Sequence, residues 1–249
     1  MSEEYIVGKN PVLEVLRSGR SVNKIWIAEG SLKGTMNQVM GMAKEAKIQV
    51  QLVPKKKLDQ VAEGEAHQGV VAFVAAHAYA EVEDILQAAK DKNEEPFILI
   101  LDEIEDPHNL GSILRTADAV GAHGVIIPKR RAVGLTSTVA KSSAGAMEYV
   151  PVSRVTNIVR TMEELKEKGI WMVGTDASGT QDFRQGRYDM GIGLVIGSEG
   201  KGMSRLVKET CDFTVRLPMV GQVTSLNASV AAALLMFEVY RQRKPIEKA

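Results

Sequence analysis

Three clusters of polar residues have the types and spacing to do chemistry. The first is Asp106-Pro107-His108-Asn109-Leu110-Gly111-Ser112-Ile113-Leu114-Arg115. An amide and a guanidinium can hold an oxygen and stabilise charge developing on it. Asn109 also reads as a helix cap, and Arg115 as a surface charge. Six residues do not bring both onto one face of an ideal helix, so cooperation requires Asn109 to act from the cap and Arg115 from the second turn. The second cluster is Gly197-Ser198-Glu199-Gly200-Lys201-Gly202. It fails as a P-loop, because Gly-Lys is followed by Gly202 at the wrong spacing. It fails as a dinucleotide fingerprint, because Gly191, Gly193 and Gly197 straddle the strand. Glycines after a buried strand still let backbone approach a ligand, and Glu199 is either part of such a site or a solvated acid. The third cluster is Leu217-Pro218-Met219-Val220-Gly221, followed by Thr224-Ser225-Leu226-Asn227-Ala228-Ser229. It opens a helix whose free N–H groups suit ligand polar atoms. Capping explains Thr224 or Ser225 but not the whole run.

Other chemistries find little support. The four histidines (His67, His77, His108, His123) and Cys211 have no zinc spacing. Cys211 lacks a histidine-bearing motif and reads as a small apolar filler. Lys55–Lys57, Lys129–Arg131 and Arg241–Lys244 are each ordinary solvated faces, but together they are candidate phosphate contacts.

The elements that must position these clusters alternate. Phe97–Leu101 is continuously apolar, as a strand covered on both faces should be. A helix to Val120 follows, then a strand Gly124–Ile127, a small-residue helix over Thr136–Ala146 and an amphipathic stretch Val155–Lys168. Strands at Ile170–Gly174, Gly193–Ile196 and Phe213–Val215 come next, and a helix over Ser225–Arg243 closes the chain. The pattern predicts an α/β fold with a mostly parallel sheet. Residues 1–76 read as a separate small α/β unit, with a short helix capped at Asn10-Pro11 and ended at Gly19. Strands follow at Val22–Ala28, Ile48–Val53 and Val70–Ala75, with a helix over Lys55–Ala62. Residues 77–95 are polar and helix-prone and read as a linker, leaving 96–249 as the larger domain.

With 249 residues, 45% hydrophobic and 25% charged, the chain has ample core for two domains and none of the marks of a disordered or fibrous protein. The acidic start Met-Ser-Glu-Glu-Tyr is no signal peptide, no apolar run reaches membrane-span length, and one cysteine suits a reducing compartment. The expected location is the cytoplasm, with no membrane partner. The formal net charge is zero, so any nucleic-acid contact must come from local patches.

In order, spacing and content, DPHNLGSILRTADAVGA (106–122), GLVIGSEGKGMS (193–204) and LPMVGQVTSLNASVAAALLMFE (217–238) resemble the three motifs of the SpoU (TrmH-like) branch of the SPOUT methyltransferases. His67-Gln68-Gly69-Val70-Val71 resembles the end of the small N-terminal domain in members that modify large-subunit ribosomal RNA, a domain similar to ribosomal protein L30e. The resemblance implies a C-terminal α/β domain with a deep trefoil knot, which no periodicity could reveal. It further implies a homodimer through that domain, S-adenosyl-L-methionine as cofactor, no metal, and 2'-O-methylation of ribose in RNA, with a guanosine of 23S rRNA as the expected target. By motif position, Asn109, Arg115, Glu199, Ser225 and Asn227 carry over as the catalytic or RNA-facing set. Gly197, Leu217 and Leu226 carry over as cofactor contacts, and Thr175 is a further cofactor candidate. The family account sets the arginine beside the 2'-hydroxyl. Because a guanidinium stays charged, a clamp oriented by Glu199 is the preferred role over a literal base. Two alternatives stay open: the same chemistry on tRNA, and a non-catalytic ribosome-assembly factor.

Overall fold

The computed structural model describes residues 4–31, 34–62, 64–74, 77–222 and 225–244. Ala75 of the expected strand, Thr224 of the expected cap and the first three residues lie outside these. The chain forms two compact units, Met1–Ala78 with Leu135–Tyr149, and Tyr79–Gly134 with Val150–Ala249.

In the first unit, elements β1 (Glu4–Val7), α1 (Lys9–Ser18), β2 (Val22–Ala28), α2 (Thr35–Glu45), β3 (Gln49–Val53), α3 (Lys55–Val61) and β4 (Val70–Val74) are followed, much later in the chain, by α6 (Ser137–Ser142). The sheet order is β1-β4-β2-β3, antiparallel except for the β2–β3 pair. Helix α1 begins at Lys9 behind Gly8, so Asn10 lies inside the helix and is not its cap. His67 is buried; its Nδ1 accepts from the Gly69 N–H at 3.0 Å and its Nε2 meets Asp59 at 2.9 Å, fixing the turn into β4. The expected helix over Thr136–Ala146 stops at Ser142, and Ala146–Glu148 forms a 3-10 turn. This segment belongs to the first unit through specific bonds. Arg20 pairs with Glu148 at 2.9 Å, the Tyr149 hydroxyl donates to Glu14 at 2.7 Å, and α6 packs on β1.

The second unit holds α4 (Val82–Asp91), β5 (Phe97–Leu101), α5 (Pro107–Val120), β6 (Gly124–Pro128), β7 (Val152–Val155), α7 (Ile158–Glu167), β8 (Trp171–Thr175), β9 (Gln181–Asp182), β10 (Ile192–Ile196), α8 (Arg205–Thr210), β11 (Phe213–Arg216) and α9 (Ala228–Arg243). Its sheet runs β7-β6-β5-β10-β8-β11-β9, with every neighbouring pair parallel. All five residues of β5 and of β10 are buried, which is why both read as unbroken apolar runs. The Val155–Lys168 stretch divides into β7 and α7, because the Asn157 side chain accepts from the Arg160 N–H and starts a helix there.

The stretch 77–95, expected to be a linker, contributes a core helix. Ile85 of α4 joins Ile98, Ile100, Ile126 and Met162 in one buried cluster. It sits where a Cβ on Gly124 would come within 2.6 Å of its Cγ1, so a side chain at Gly124 and this helix position exclude each other. The C-terminal basic stretch, a candidate for phosphate, is engaged internally. Arg243 donates to the carbonyl oxygens of Glu95, Pro96, Tyr188 and Met190 at 2.6–3.0 Å, Arg241 pairs with Glu238, and Lys244 pairs with Glu94. The end of α9 is thereby tied to the start of β5.

His123 is buried in this unit. Its Nδ1 accepts from the Phe97 N–H at 3.0 Å, and its Nε2 faces Glu94 at 3.3 Å. Burial and the nearby Lys92 charge hold its pKa below the ordinary imidazole value, against the opposing pull of Glu94. The folded chain therefore keeps His123 neutral, while the unfolded chain takes up a proton as pH falls through about 6.5. The stability this group contributes is complete above that pH and lost below it. The melting temperature should fall between about pH 7.5 and about pH 5.5, and less so in His123→Asn, whose amide oxygen can replace the Nδ1 acceptor. Equal slopes in wild type and variant would assign the pH dependence elsewhere.

Candidate active site

The carboxyl ends of β8, β10 and β11 meet at a cavity of about 480 Å³, within the range of roughly 300–1,000 Å³ typical of small-molecule sites. Ligands of parallel sheets bind at this edge. Thr175 ends β8, Gly197 follows β10 and Leu217 follows β11. All three line the cavity, together with Leu226, Glu199, Ser225, Ile196 and Met219. The four cofactor candidates are thus brought to one place.

The loop after β10 folds back on itself. Ser198 and Gly202 exchange backbone hydrogen bonds at 3.0 and 2.9 Å. A Cβ on Gly197 would stand 2.2 Å from the carbonyl carbon of Gly202 and 2.2 Å from the nitrogen of Met203. Gly197 is therefore required by the loop's own closure, a tighter constraint than approach of a ligand. Asp102, buried just after β5, anchors the far side of the loop: its carboxylate accepts from the Ser204 N–H at 2.6 Å, and its own N–H donates to the Ile196 carbonyl.

Beside the cavity, Asn227 joins the three motifs. Its Nδ2 donates to Asn109 Oδ1 at 2.9 Å and to Glu199 Oε2 at 3.1 Å. Its Oδ1 accepts from the Ser229 N–H at 3.0 Å, making Asn227 the cap of α9. Ser225, two residues earlier, is not the cap. The cap of α5 is Asp106, which accepts from the His108 N–H at 2.8 Å, so Asn109 acts from the first turn of the helix and not from its cap. Asn109 Oδ1 accepts from Asn227, and among the described residues the Asn109 amide N–H groups donate to no partner.

Arg115 is not part of this cluster. It is exposed on α5 and forms no hydrogen bond or ion pair among the described residues. Six residues turn it about 240° around the helix from Asn109. The expected orientation of Arg115 by Glu199 is absent, and Glu199 engages Asn227 instead.

Sequence reasoning missed Asp102 and Asp176. Both directly follow apolar strands, which was the available signal. Asp176 lines the cavity beside Thr175. Burial pushes its carboxyl pKa up, but hydrogen bonds from Lys208 and Ser178 outweigh this and hold it below the usual aspartate value. Cys211 fills the core: burial pushes its thiol up to about 12, and its Sγ lies 3.3 Å from the Val207 carbonyl. Among the described residues, no group of three His, Cys, Asp or Glu side chains is placed to hold a metal ion. Also among them, no helix is long and apolar enough to cross a membrane.

An all-parallel sheet with a ligand cavity at its carboxyl edge, flanked by an amide–carboxylate cluster and preceded by a separate small α/β unit, defines a two-part α/β enzyme. The chain belongs to the SpoU rRNA Methylase family, whose model matches residues 96–237. Residues 5–80 match the family described as RNA 2'-O ribose methyltransferase substrate binding. YacO of Bacillus subtilis (strain 168), assigned to the TrmH family of tRNA/rRNA methyltransferases, is 65% identical over 243 residues, covering 98% of this chain and 97% of its own length. The SpoU methyltransferase AviRb from Streptomyces viridochromogenes, solved in complex with AdoMet, superposes with a TM-score of 0.82 at 27% identity over 98% of this chain and 92% of its own. The TrmH/SpoU tRNA modifying enzyme of A. aeolicus superposes with a TM-score of 0.54 at 28% identity, over 65% of this chain and 84% of its own.

Proposed function

We propose that this chain methylates a ribose 2'-hydroxyl of RNA with S-adenosyl-L-methionine, and that its target is a guanosine of 23S rRNA, the activity of RlmB. The observation that carries the reading is the cavity at the carboxyl edge, bounded by all four expected cofactor contacts and abutting the Asn109–Glu199–Asn227 cluster. The cavity has the size and the mixed apolar and backbone lining suited to the cofactor, which would rest on Leu217, Leu226, Thr175 and the Gly197 backbone.

When bound, S-adenosyl-L-methionine supplies a methyl group already activated on sulfonium. The remaining difficulty is the hydroxyl, a poor nucleophile until its proton leaves. The free amide N–H of Asn109 and the hydroxyl of Ser225 position the ribose, with Asn227 locking both Asn109 and Glu199. Arg115 forms no hydrogen bond or ion pair among the described residues and lies outside that cluster. In the homodimer of this reading it would reach the ribose held by the other subunit, clamp the 2'-oxygen and adjacent phosphate and stabilise the developing charge, and the proton would pass to phosphate or water.

The first unit, matched over 5–80 to a substrate-binding family, directs substrate choice. The tRNA modifying enzyme aligns with 65% of this chain, while residues 5–80 match a separate substrate-binding family, and this supports ribosomal RNA over tRNA. The knot of the SPOUT fold, a homodimer and a cytoplasmic location belong to the same reading. The dimer is supported by α9, on which Val230, Leu234, Phe237 and Tyr240 form an exposed apolar stripe opposite buried Ala232, Leu235, Met236 and Val239.

The test is methylation of 23S rRNA and tRNA transcripts with labelled cofactor, followed by mapping of ribose methylation. A label confined to tRNA would transfer the assignment to that substrate, and an absence of label on both would leave a binding factor. Calorimetric titration of the cofactor in the presence of a chelator should give unchanged affinity; strict dependence on added metal would contradict the cofactor site drawn here.

A further inference from the structure

On the first unit's sheet, half-buried Tyr5, Lys24, Trp26 and Gln51 surround buried Phe73. Leu58 and Ala62 close one end, over Val7, Ala28, Val53 and Val71. At the other end Tyr5, Phe73 and Lys24 lie side by side across β1, β4 and β2, with Trp26 and Gln51 paired alongside. Trp26 is half-buried. It stands edge-on to Phe73 with ring centroids 4.7 Å apart, and its indole N–H donates to Gln51 at 2.9 Å. Lys24 Nζ lies 4.4 Å from the Phe73 ring centre, and Lys57 Nζ lies 4.5 Å from that of Trp26. Lys57 forms no ion pair among the described residues, and exposed Lys55 and Lys56 adjoin it. The neighbouring carboxylate, Asp59, is engaged by His67.

Aromatic rings fixed on a sheet and ringed by lysines are the components with which proteins hold unpaired nucleotides: bases stack on the rings and ammonium groups take the phosphates. We propose that this face binds an unpaired stretch of the RNA substrate, with a base against Trp26, its phosphates on Lys24 and Lys57, and Lys55 and Lys56 tracking the strand. Gln51 holds the indole in place. A base in a duplex has no free face to offer, so the recognised element is single-stranded. The inference rests on the RNA-methyltransferase reading and adds to it the surface and the kind of RNA.

Trp26 and Trp171 are the two tryptophans of the sequence, so full-length Trp171→Phe makes Trp26 the reporter. Titration with a short unpaired oligoribonucleotide should quench its emission saturably, while a duplex of equal length should not. In the otherwise wild-type chain, Trp26→Leu should weaken binding of the oligoribonucleotide about tenfold or more, and Trp26→Phe should recover most of that. Lys24→Ala with Lys57→Ala should reduce the slope of log affinity against log salt by about 1.4. Cofactor affinity, measured by calorimetry, should be unchanged in all variants, and far-UV circular dichroism with a thermal melt reports the folding of the first unit. Unaltered emission while RNA binds, wild-type affinity in Trp26→Leu, duplex bound as well as single strand, or no RNA binding at all would each overturn the proposal. Quenching by RNA in a chain that binds no cofactor would instead sink the methyltransferase reading and leave this surface standing.

Discussion

Arg115→Ala is expected to lower single-turnover methylation of RNA by about a hundredfold or more, the range seen when one preorganised donor to a developing oxyanion is removed. Arg115 is exposed on α5, bound to nothing among the described residues and outside the cavity at the carboxyl edge, so its removal leaves no buried partner unsatisfied and should cost little stability. Its role as a clamp requires a planar fork reaching two oxygens at once. Lysine keeps the charge without the fork, so Arg115→Lys should restore only a small part of the rate. Cofactor affinity should stay at the wild-type value in both, because the interaction belongs to the transition state. Wild-type turnover in Arg115→Ala would return Arg115 to a plain surface charge. A loss of cofactor affinity equal to the loss of rate would move it into the cavity.

The second large effect is expected from a single methyl group. In Gly197→Ala the added Cβ meets backbone atoms of Gly202 and Met203 at 2.2 Å, and no side-chain rotation can relieve that. The loop must open, which breaks the Ser198–Gly202 pairing and displaces Glu199 from Asn227. Overpacking of this kind costs about 1–3 kcal/mol or more. Because the strain is stored in the wall of the cavity, about 2 kcal/mol of it should appear as a cofactor affinity lower by about thirtyfold. Calorimetric titration alongside a thermal melt separates a displaced loop from a lost fold. Wild-type affinity in a folded Gly197→Ala would mean that the cofactor does not touch this loop.

The parts of the site that could be read from the sequence were those adjacent to strands. Thr175, Gly197 and Leu217 each end or directly follow a strand, and the carboxyl edge of a parallel sheet collects such positions whatever the strand order. Asp102 and Asp176 hold equivalent positions but belong to no motif. The bonding within the cluster was not legible: Asn227 was expected to face RNA and also caps α9, while Asn109 was a candidate cap and lies beyond it. The placing of β10 between β5 and β8 was equally hidden, since local patterning specifies burial and not neighbours. Residues 77–95 look polar because only Ile85 and Ala89 of α4 are buried. The small residues of 135–149 gave no hint that they join the N-terminal unit, because their attachment depends on long-range bonds to Glu14 and Arg20.

That late-arriving segment has a consequence for how the chain is made. The N-terminal unit cannot finish folding when its first 78 residues leave the ribosome, because α6 and the Glu148–Tyr149 contacts are not yet synthesised. At roughly 5–20 residues per second, the roughly 70 residues up to Tyr149 take about 4–14 s to follow. During that interval β1, an edge strand of its sheet, lacks the helix that later packs on it and is open to pairing with other nascent chains. Pauses in translation before residue 149 should therefore lower the yield of folded protein more than pauses after it.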